Sequence, residues 1–214
     1  MRTRIKICGI TTPDAALAAA DAGADAVGFM FVPSSPRYIK PSDAVQILLD
    51  LPPMVSSVGV FMNTALKFFL EIEEDCPTIY SQLHGSEDES LVKQCGPGVI
   101  KGVRFLPESL REELVRWNAV EEVDAILIDG SAGGEGVSFD WSQLPPFLEG
   151  IEKPIFLAGG LTPENVAEAI RIVRPAAVDV ASGVESSPGK KDPHKVRDFV
   201  AAASEVFVPT GAGL

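Results

Sequence analysis

Three side chains in this sequence stand at or inside apolar runs of strand character, where each could move a proton or hold a charge. Cys8 closes RIKIC, Asp129 closes DAILID, and Asp179 lies inside AAVDVAS between Val178 and Val180. A thiol beside a cation is drawn toward its thiolate, the form that acts as a base. Cys8 read alone is equally an inert small hydrophobe, the commoner role of a buried cysteine. Strand alternation, however, puts Lys6 and Cys8 on one face and Ile5 and Ile7 on the other. With the apolar pair against surrounding helices, Lys6 and Cys8 point to the interior, and Lys6 becomes the cation. Cys76 and Cys95 fall in or beside helical segments and read as structural.

Asp129 is either a solvated loop carboxyl or a general acid tuned by its surroundings. Asp179 cannot be a solvated loop residue. A carboxylate between two strand valines needs a partner, which Lys6 or a substrate hydroxyl would supply. Arg37 sits in PSSPRY, where prolines stiffen the loop, and a guanidinium held still suits bidentate recognition of a carboxylate. A plain surface arginine fits that position as well.

Two glycine-bearing stretches have the character of phosphate cradles. LAGGLTPEN places Gly159 and Gly160 just ahead of a Thr-Pro helix start, and ASGVE places Ser182 and Gly183 after the next run. Backbone N–H groups at such turns bind phosphate without a cation. Tight turns with no ligand are the bland alternative.

The elements that must position these groups are eight Val-, Ile- and Phe-rich runs. They begin at Ile5, Asp25, Ser56, Thr78, Val99, Asp124, Pro154 and Ala176. Helical segments opened by start signals alternate with them: Thr12-Pro13, Pro41-Ser42, Thr64, Ser86, Pro107, Thr162-Pro163 and Asp192-Pro193. About eight helices are expected, at roughly 20 to 30 residues per repeat, the spacing of βα units. A doubly wound open sheet shares this alternation. The count of eight, without G-x-G-x-x-G after the first run, favours a single (β/α)8 TIM barrel over residues 1–214, with a frayed tail beyond about residue 208. In such a barrel function gathers past the C-terminal ends of the strands. That rule adds Asn63, Gln82 and His84, Arg104, and the Gly133-Gly134-Glu135-Gly136 loop to the residues near the site. Gln82 and His84 are taken as substrate contacts.

The formal charge of -12 and the absence of a basic run argue against a nucleic-acid or anionic-membrane surface. Three cysteines, odd in number and without zinc-site spacing, suit a reducing compartment, and no apolar run approaches the ~20 residues that span a bilayer. The expected setting is the cytoplasm.

In chain order, KICGIT (Lys6–Thr11), GFMFVPSSPRYI (Gly28–Ile39), VGVFMN (Val58–Asn63), QLHG (Gln82–Gly85), GGEGVSFDW (Gly133–Trp141), LAGGLTPENV (Leu157–Val166) and DVASGVESSPGKKD (Asp179–Asp192) run over nearly the whole chain. Together they resemble the phosphoribosylanthranilate isomerase family of tryptophan biosynthesis, a (β/α)8-barrel family. The resemblance implies a cofactor-free and metal-free Amadori rearrangement of N-(5′-phosphoribosyl)anthranilate to a 1-deoxyribulose 5-phosphate. It implies Cys8 as the base at ribose C2′, Asp129 as the acid at the furanose oxygen and Arg37 facing the anthranilate carboxylate. Gly159, Gly160, Ser182 and Gly183 would grip the phosphate, with Asp179 near the ribose. The partner implied is a small phosphorylated substrate, with the chain as monomer or homodimer. Ala181 departs from a position often Ser, Gly130 from one where a hydroxyl residue is usual, and Glu135 brings a negative charge toward an anionic substrate. The related histidine-pathway isomerase uses an aspartate as the base, so Cys8 discriminates against it. No duplicated phosphate loop supports a bifunctional enzyme. A barrel that binds a phosphorylated metabolite without turnover is the alternative of another class.

Overall fold

Eight short strands close on themselves in a computed structural model that describes residues 2–130 and 139–206. The Glu135 loop and the tail expected to fray beyond residue 208 lie outside the described residues. The strands are β1 (Arg4–Cys8), β2 (Ala26–Met30), β3 (Ser56–Phe61), β4 (Tyr80–Leu83), β5 (Val99–Arg104), β6 (Val123–Asp129), β7 (Ile155–Leu157) and β8 (Ala177–Val180). All neighbours are parallel, and β8 closes on β1 with Ile5 opposite Val178 and Lys6 opposite Asp179.

Alternation along each strand sorts the side chains into two cores. Ile5, Ile7, Val27, Phe29, Val99 and Val103 face the helices, while Cys8, Val58, Val60, Ile100, Ala125 and Leu127 fill the barrel interior. The inward placement of Cys8 and Lys6 therefore follows from period-two geometry and from the need to bury Ile5 and Ile7 on the other face.

The outer layer among the described residues holds seven α-helices rather than about eight: α1 (Pro13–Ala22), α2 (Pro41–Leu49), α3 (Leu66–Asp75), α4 (Glu89–Cys95), α5 (Leu110–Asn118), α6 (Val166–Val173) and α7 (Pro193–Ser204). After β6 the described chain makes only 3-10 turns at Trp141–Gln143 and Pro145–Leu148. Pro145 and Pro146 have no N–H to continue an α-helical ladder there. Thr12 caps α1 by accepting from the Ala15 N–H, and Gly23 ends that helix in the left-handed region, both as expected. Some start signals are displaced. Ala65 rather than Thr64 precedes α3, and Asp88 rather than Ser86 caps α4 through the Leu91 N–H. The stretch Thr162-Pro163-Glu164-Asn165 opens α6 at Val166, as expected. Asn165 folds back, accepting from the Thr162 N–H and donating to the Gly160 carbonyl. A two-stranded ribbon, β9 (Glu185–Ser187) with β10 (Lys190–Lys191), follows β8.

Candidate active site

A cavity of ≈ 430 Å³ opens at the C-terminal mouth of the barrel. Cys8, Arg37, Gln82, His84, Asp129, Gly159, Gly160, Asp179 and Ser182 all line it, so nine of the ten sequence-derived site residues share one space. Gly183 is the exception. A Cβ there would fall 1.9 Å from the Leu161 carbonyl oxygen, so this glycine lets the loops after β7 and β8 touch. Among the strand-end residues, Arg104 is exposed, and the Asn63 side chain accepts from Ser86, tying the β3 and β4 loops together. Neither lines the cavity. Ala181 forms part of the wall beside Ser182.

The base candidate lies in a made space. A Cβ at Gly28 on neighbouring β2 would sit 2.8 Å from the Cys8 sulfur, so only glycine leaves room for the thiol. Lys6, 2 % exposed, donates from Nζ to Asp179 Oδ2 at 2.9 Å and to Gln82 Oε1 at 2.9 Å. Asp179 thus has the partner its burial demanded. Burial works to lower the Lys6 pKa, but the Asp179 carboxylate and then Cys8 carry it above the usual lysine value. For Cys8 the balance goes against the expectation of a favoured thiolate. Burial pushes the thiol up, and the pull of Lys6 does not offset it. Lys6 is already committed to Asp179, whose own charge opposes a second anion nearby.

The acid candidate ends β6. Asp129 is buried, with Oδ2 3.4 Å from His84 Nε2, a contact longer than a good hydrogen bond. The opposite ring nitrogen of His84, Nδ1, is 3.0 Å from Gln82 Nε2. Arg37, left ambiguous by its sequence setting, is held as a fork. Its Nε donates to Glu185 Oε1 at 2.8 Å and its Nη2 to Glu185 Oε2 at 2.9 Å. Lys191 Nζ donates to the same Glu185 Oε1 at 2.8 Å and to the Ala181 carbonyl at 2.9 Å. Burial works to raise the Glu185 pKa, yet Arg37 and Lys191 together hold that carboxyl below the usual carboxylate range. Glu185 and Lys191 are supporting residues that sequence reasoning passed over. The signal for them was Pro188-Gly189, a two-residue turn between short polar runs, which marks the hairpin that brings them together.

The loop after β7 takes the left-handed backbone at both glycines, φ 88° at Gly159 and 66° at Gly160, a conformation few other residues adopt without strain. Among the described residues no group of His, Cys, Asp and Glu is arranged to hold a metal ion, and no helix is long and apolar enough to cross a membrane.

Fold and cavity together define a (β/α)8 barrel with a thiol and a carboxyl on one polar mouth. A family model described as N-(5′-phosphoribosyl)anthranilate (PRA) isomerase matches residues 5–202. A protein of Magnetococcus marinus named N-(5′-phosphoribosyl)anthranilate isomerase is 44% identical, with 100% of each chain covered. A crystal structure of phosphoribosyl anthranilate isomerase in complex with reduced 1-(o-carboxyphenylamino)-1-deoxyribulose 5-phosphate is 40% identical at a TM-score of 0.85, covering 95% of this chain and 100% of that one. A Thermotoga maritima structure, described as monomers of a dimeric phosphoribosylanthranilate isomerase, is 39% identical at a TM-score of 0.83 with the same coverage. The chain belongs to the N-(5′-phosphoribosyl)anthranilate isomerase family.

Proposed function

We propose that this chain converts N-(5′-phosphoribosyl)anthranilate to 1-(2-carboxyphenylamino)-1-deoxyribulose 5-phosphate, with Asp129 as general acid and Cys8 as general base. Asp129 gives its proton to the furanose oxygen as the C1′–O bond breaks, and the nitrogen lone pair forms a C1′=N bond. The Cys8 thiolate then removes the C2′ proton, the released pair forms C1′=C2′, and the nitrogen regains its lone pair. The resulting enolamine becomes the ketone when C1′ gains a proton and the C2′ hydroxyl loses one. Atoms and electrons balance within one molecule, so the chemistry asks only for an acid and a base on a fixed sugar.

The observation that carries this reading is that Cys8 and Asp129, three strands apart around the barrel, line the same cavity. Arg37, gripped by Glu185 through Nε and Nη2, keeps its remaining N–H donors for the anthranilate carboxylate. Met30, Val32, Val60 and Met62 supply an apolar wall for the aromatic ring. The loops at Gly159-Gly160 and Ser182-Gly183 take the phosphate, and Gln82, His84 and Asp179 reach the ribose. As monomer or homodimer the chain would work on a small cytoplasmic metabolite, a setting its three free cysteines suit.

The test follows turnover of freshly prepared substrate by loss of anthranilate-type fluorescence. Cys8→Ser and Asp129→Asn should each lose about 10²- to 10⁴-fold in kcat while remaining folded. A parent that binds the substrate without turning it over would make the barrel a binding protein and sink this reading.

A further inference from the structure

We propose that Lys6 and Gln82 fix the tautomer of His84, so that its Nε2–H always faces Asp129 Oδ2. This rests on Asp129 being the acid, and makes Lys6, Gln82 and His84 positioning residues for it.

The chain of reasoning starts from a group with no choice. A lysine ammonium only donates. Lys6 Nζ is 2.9 Å from the side-chain oxygen of Gln82 and 2.9 Å from Asp179 Oδ2. Turning the Gln82 amide over would set NH2 donors against a buried ammonium at that distance. The amide orientation is therefore dictated by Lys6, and Lys6 keeps its charge through Asp179. With Oε1 committed, Gln82 Nε2 faces His84 Nδ1 at 3.0 Å, and an amide NH2 also only donates. His84 Nδ1 must then accept, which excludes both the Nδ1–H tautomer and the imidazolium. The single ring proton is left on Nε2, 3.4 Å from Asp129 Oδ2.

The ring has little freedom to escape this arrangement. A Cβ at Gly102 would be 2.7 Å from His84 Nδ1, so β5 packs directly against it. The Nε2–H therefore faces Asp129 Oδ2 whether the carboxyl holds its proton or has given it up. Once that proton has left, the same Nε2–H stabilises the carboxylate. A line of hydrogen bonds thus runs from Asp179 on β8 through Lys6 on β1 and Gln82 on β4 to His84 just beyond it, whose Nε2 stands 3.4 Å from Asp129 Oδ2 on β6. It begins beside the base and ends facing the acid.

The chain has only two histidines, His84 and His194, so long-range 1H–15N spectra resolve the question directly, with His194→Gln as the assignment control. At mildly alkaline pH the parent should show His84 as one neutral tautomer, its protonated nitrogen being Nε2 by coupling to both ring C–H protons. Gln82→Glu replaces the donor by a second acceptor and should move the proton to Nδ1 or protonate both nitrogens, with kcat down at least about tenfold. Gln82→Met should give a tautomer mixture. An Nδ1–H tautomer, a mixture or an imidazolium in the parent overturns the proposal. So does an unchanged His84 spectrum in Gln82→Glu; if that variant does not fold, the parent spectrum and Gln82→Met still decide. A parent with the expected tautomer and no turnover instead refutes the proposed reaction and leaves the tautomer assignment standing.

Discussion

Lys6 and Lys101 are both 2 % exposed, both sit mid-strand, and both face a carboxylate, yet they live in opposite kinds of surroundings. Lys101 points from β5 toward the helices and is saturated. Its Nζ meets Glu87 Oε2 at 3.0 Å and the carbonyls of Leu83, Gly85 and Gly102, and it lies 5.5 Å from the centre of the Trp117 ring. Glu87 is equally engaged, accepting from the N–H groups of Asn63 and Gly85. Lys6 points into the barrel and has Asp179 and Gln82, with the Cys8 thiol beside it. Asp179 Oδ1 has no hydrogen-bond partner among the described residues. A finished knot of charge holds loops in place, whereas an unfinished one leaves capacity for a ligand.

The comparison predicts two different costs. Lys101→Met leaves the buried Glu87 carboxylate without its cation and should destabilise by about 3–5 kcal/mol, read from the urea midpoint. Lys6→Met leaves Asp179 on the wall of an open cavity, where it can take up water or a proton, and should cost only about 1–3 kcal/mol. Lys6→Met combined with Asp179→Leu should then regain most of that stability, since an apolar pair can replace a buried ion pair, without regaining turnover. Equal costs for the two single variants, or an active double variant, would break the distinction between knot and site.

A sharper contrast comes from pH. Burial works to raise the Glu87 pKa, but Lys101 and the Asn63 N–H hold it below the usual carboxylate range. Its stabilisation is therefore complete above the unfolded value of about 4.3 and is lost as pH falls through the lower folded value. Glu87→Gln should flatten that acid limb. Cys8 moves the other way. Burial raises its pKa, and only the thiolate can accept the C2′ proton. The profile of kcat/KM should keep climbing, up to about tenfold per pH unit, past the ordinary thiol value of about 8.5. A plateau already at neutral pH would show that the Lys6 charge outweighs burial in the free protein.

The legibility of these features in the sequence follows the range of the forces that make them. Period-two alternation is local, so the inward face of Lys6 and Cys8 and the barrel alternation could be read directly. Asp179 stood out as a charge inside an apolar run. Lys101 carries the same signal inside VIKGVRF and went unweighed, although one rule covers both residues. Arg37 stayed ambiguous because its partner is 148 positions away and reaches it only through the ribbon β9–β10. The start of α6 at Val166 was legible, but not the way Asn165 turns back on the loop to accept from the Thr162 N–H and donate to the Gly160 carbonyl. The rise in the Cys8 pKa depends on a sum of burial and three neighbouring charges, which no spacing rule contains.

The smallest expected effect tests whether the Lys191–Glu185–Arg37 cluster sides with the knot or with the site. Glu185 resembles Glu87 in being buried and doubly engaged, but one of its partners, Arg37, lines the cavity. Glu185→Gln keeps the shape and removes the charge that holds the guanidinium fork. If Arg37 receives the anthranilate carboxylate, the loss should be one of orientation, about 1–1.5 kcal/mol. That corresponds to a KM about five- to tenfold higher, with kcat within about twofold, because the grip is made equally in the bound and transition states. Arg37→Lys, which loses the planar fork outright, should raise KM further in the same pattern. An equal fall in kcat and kcat/KM for Glu185→Gln would mean that the cluster acts on the reacting centre through Lys191, whose charge lies close enough to Cys8 to be felt there. An unchanged KM with a lowered urea midpoint would class Glu185 with Glu87, as a knot that happens to border a cavity.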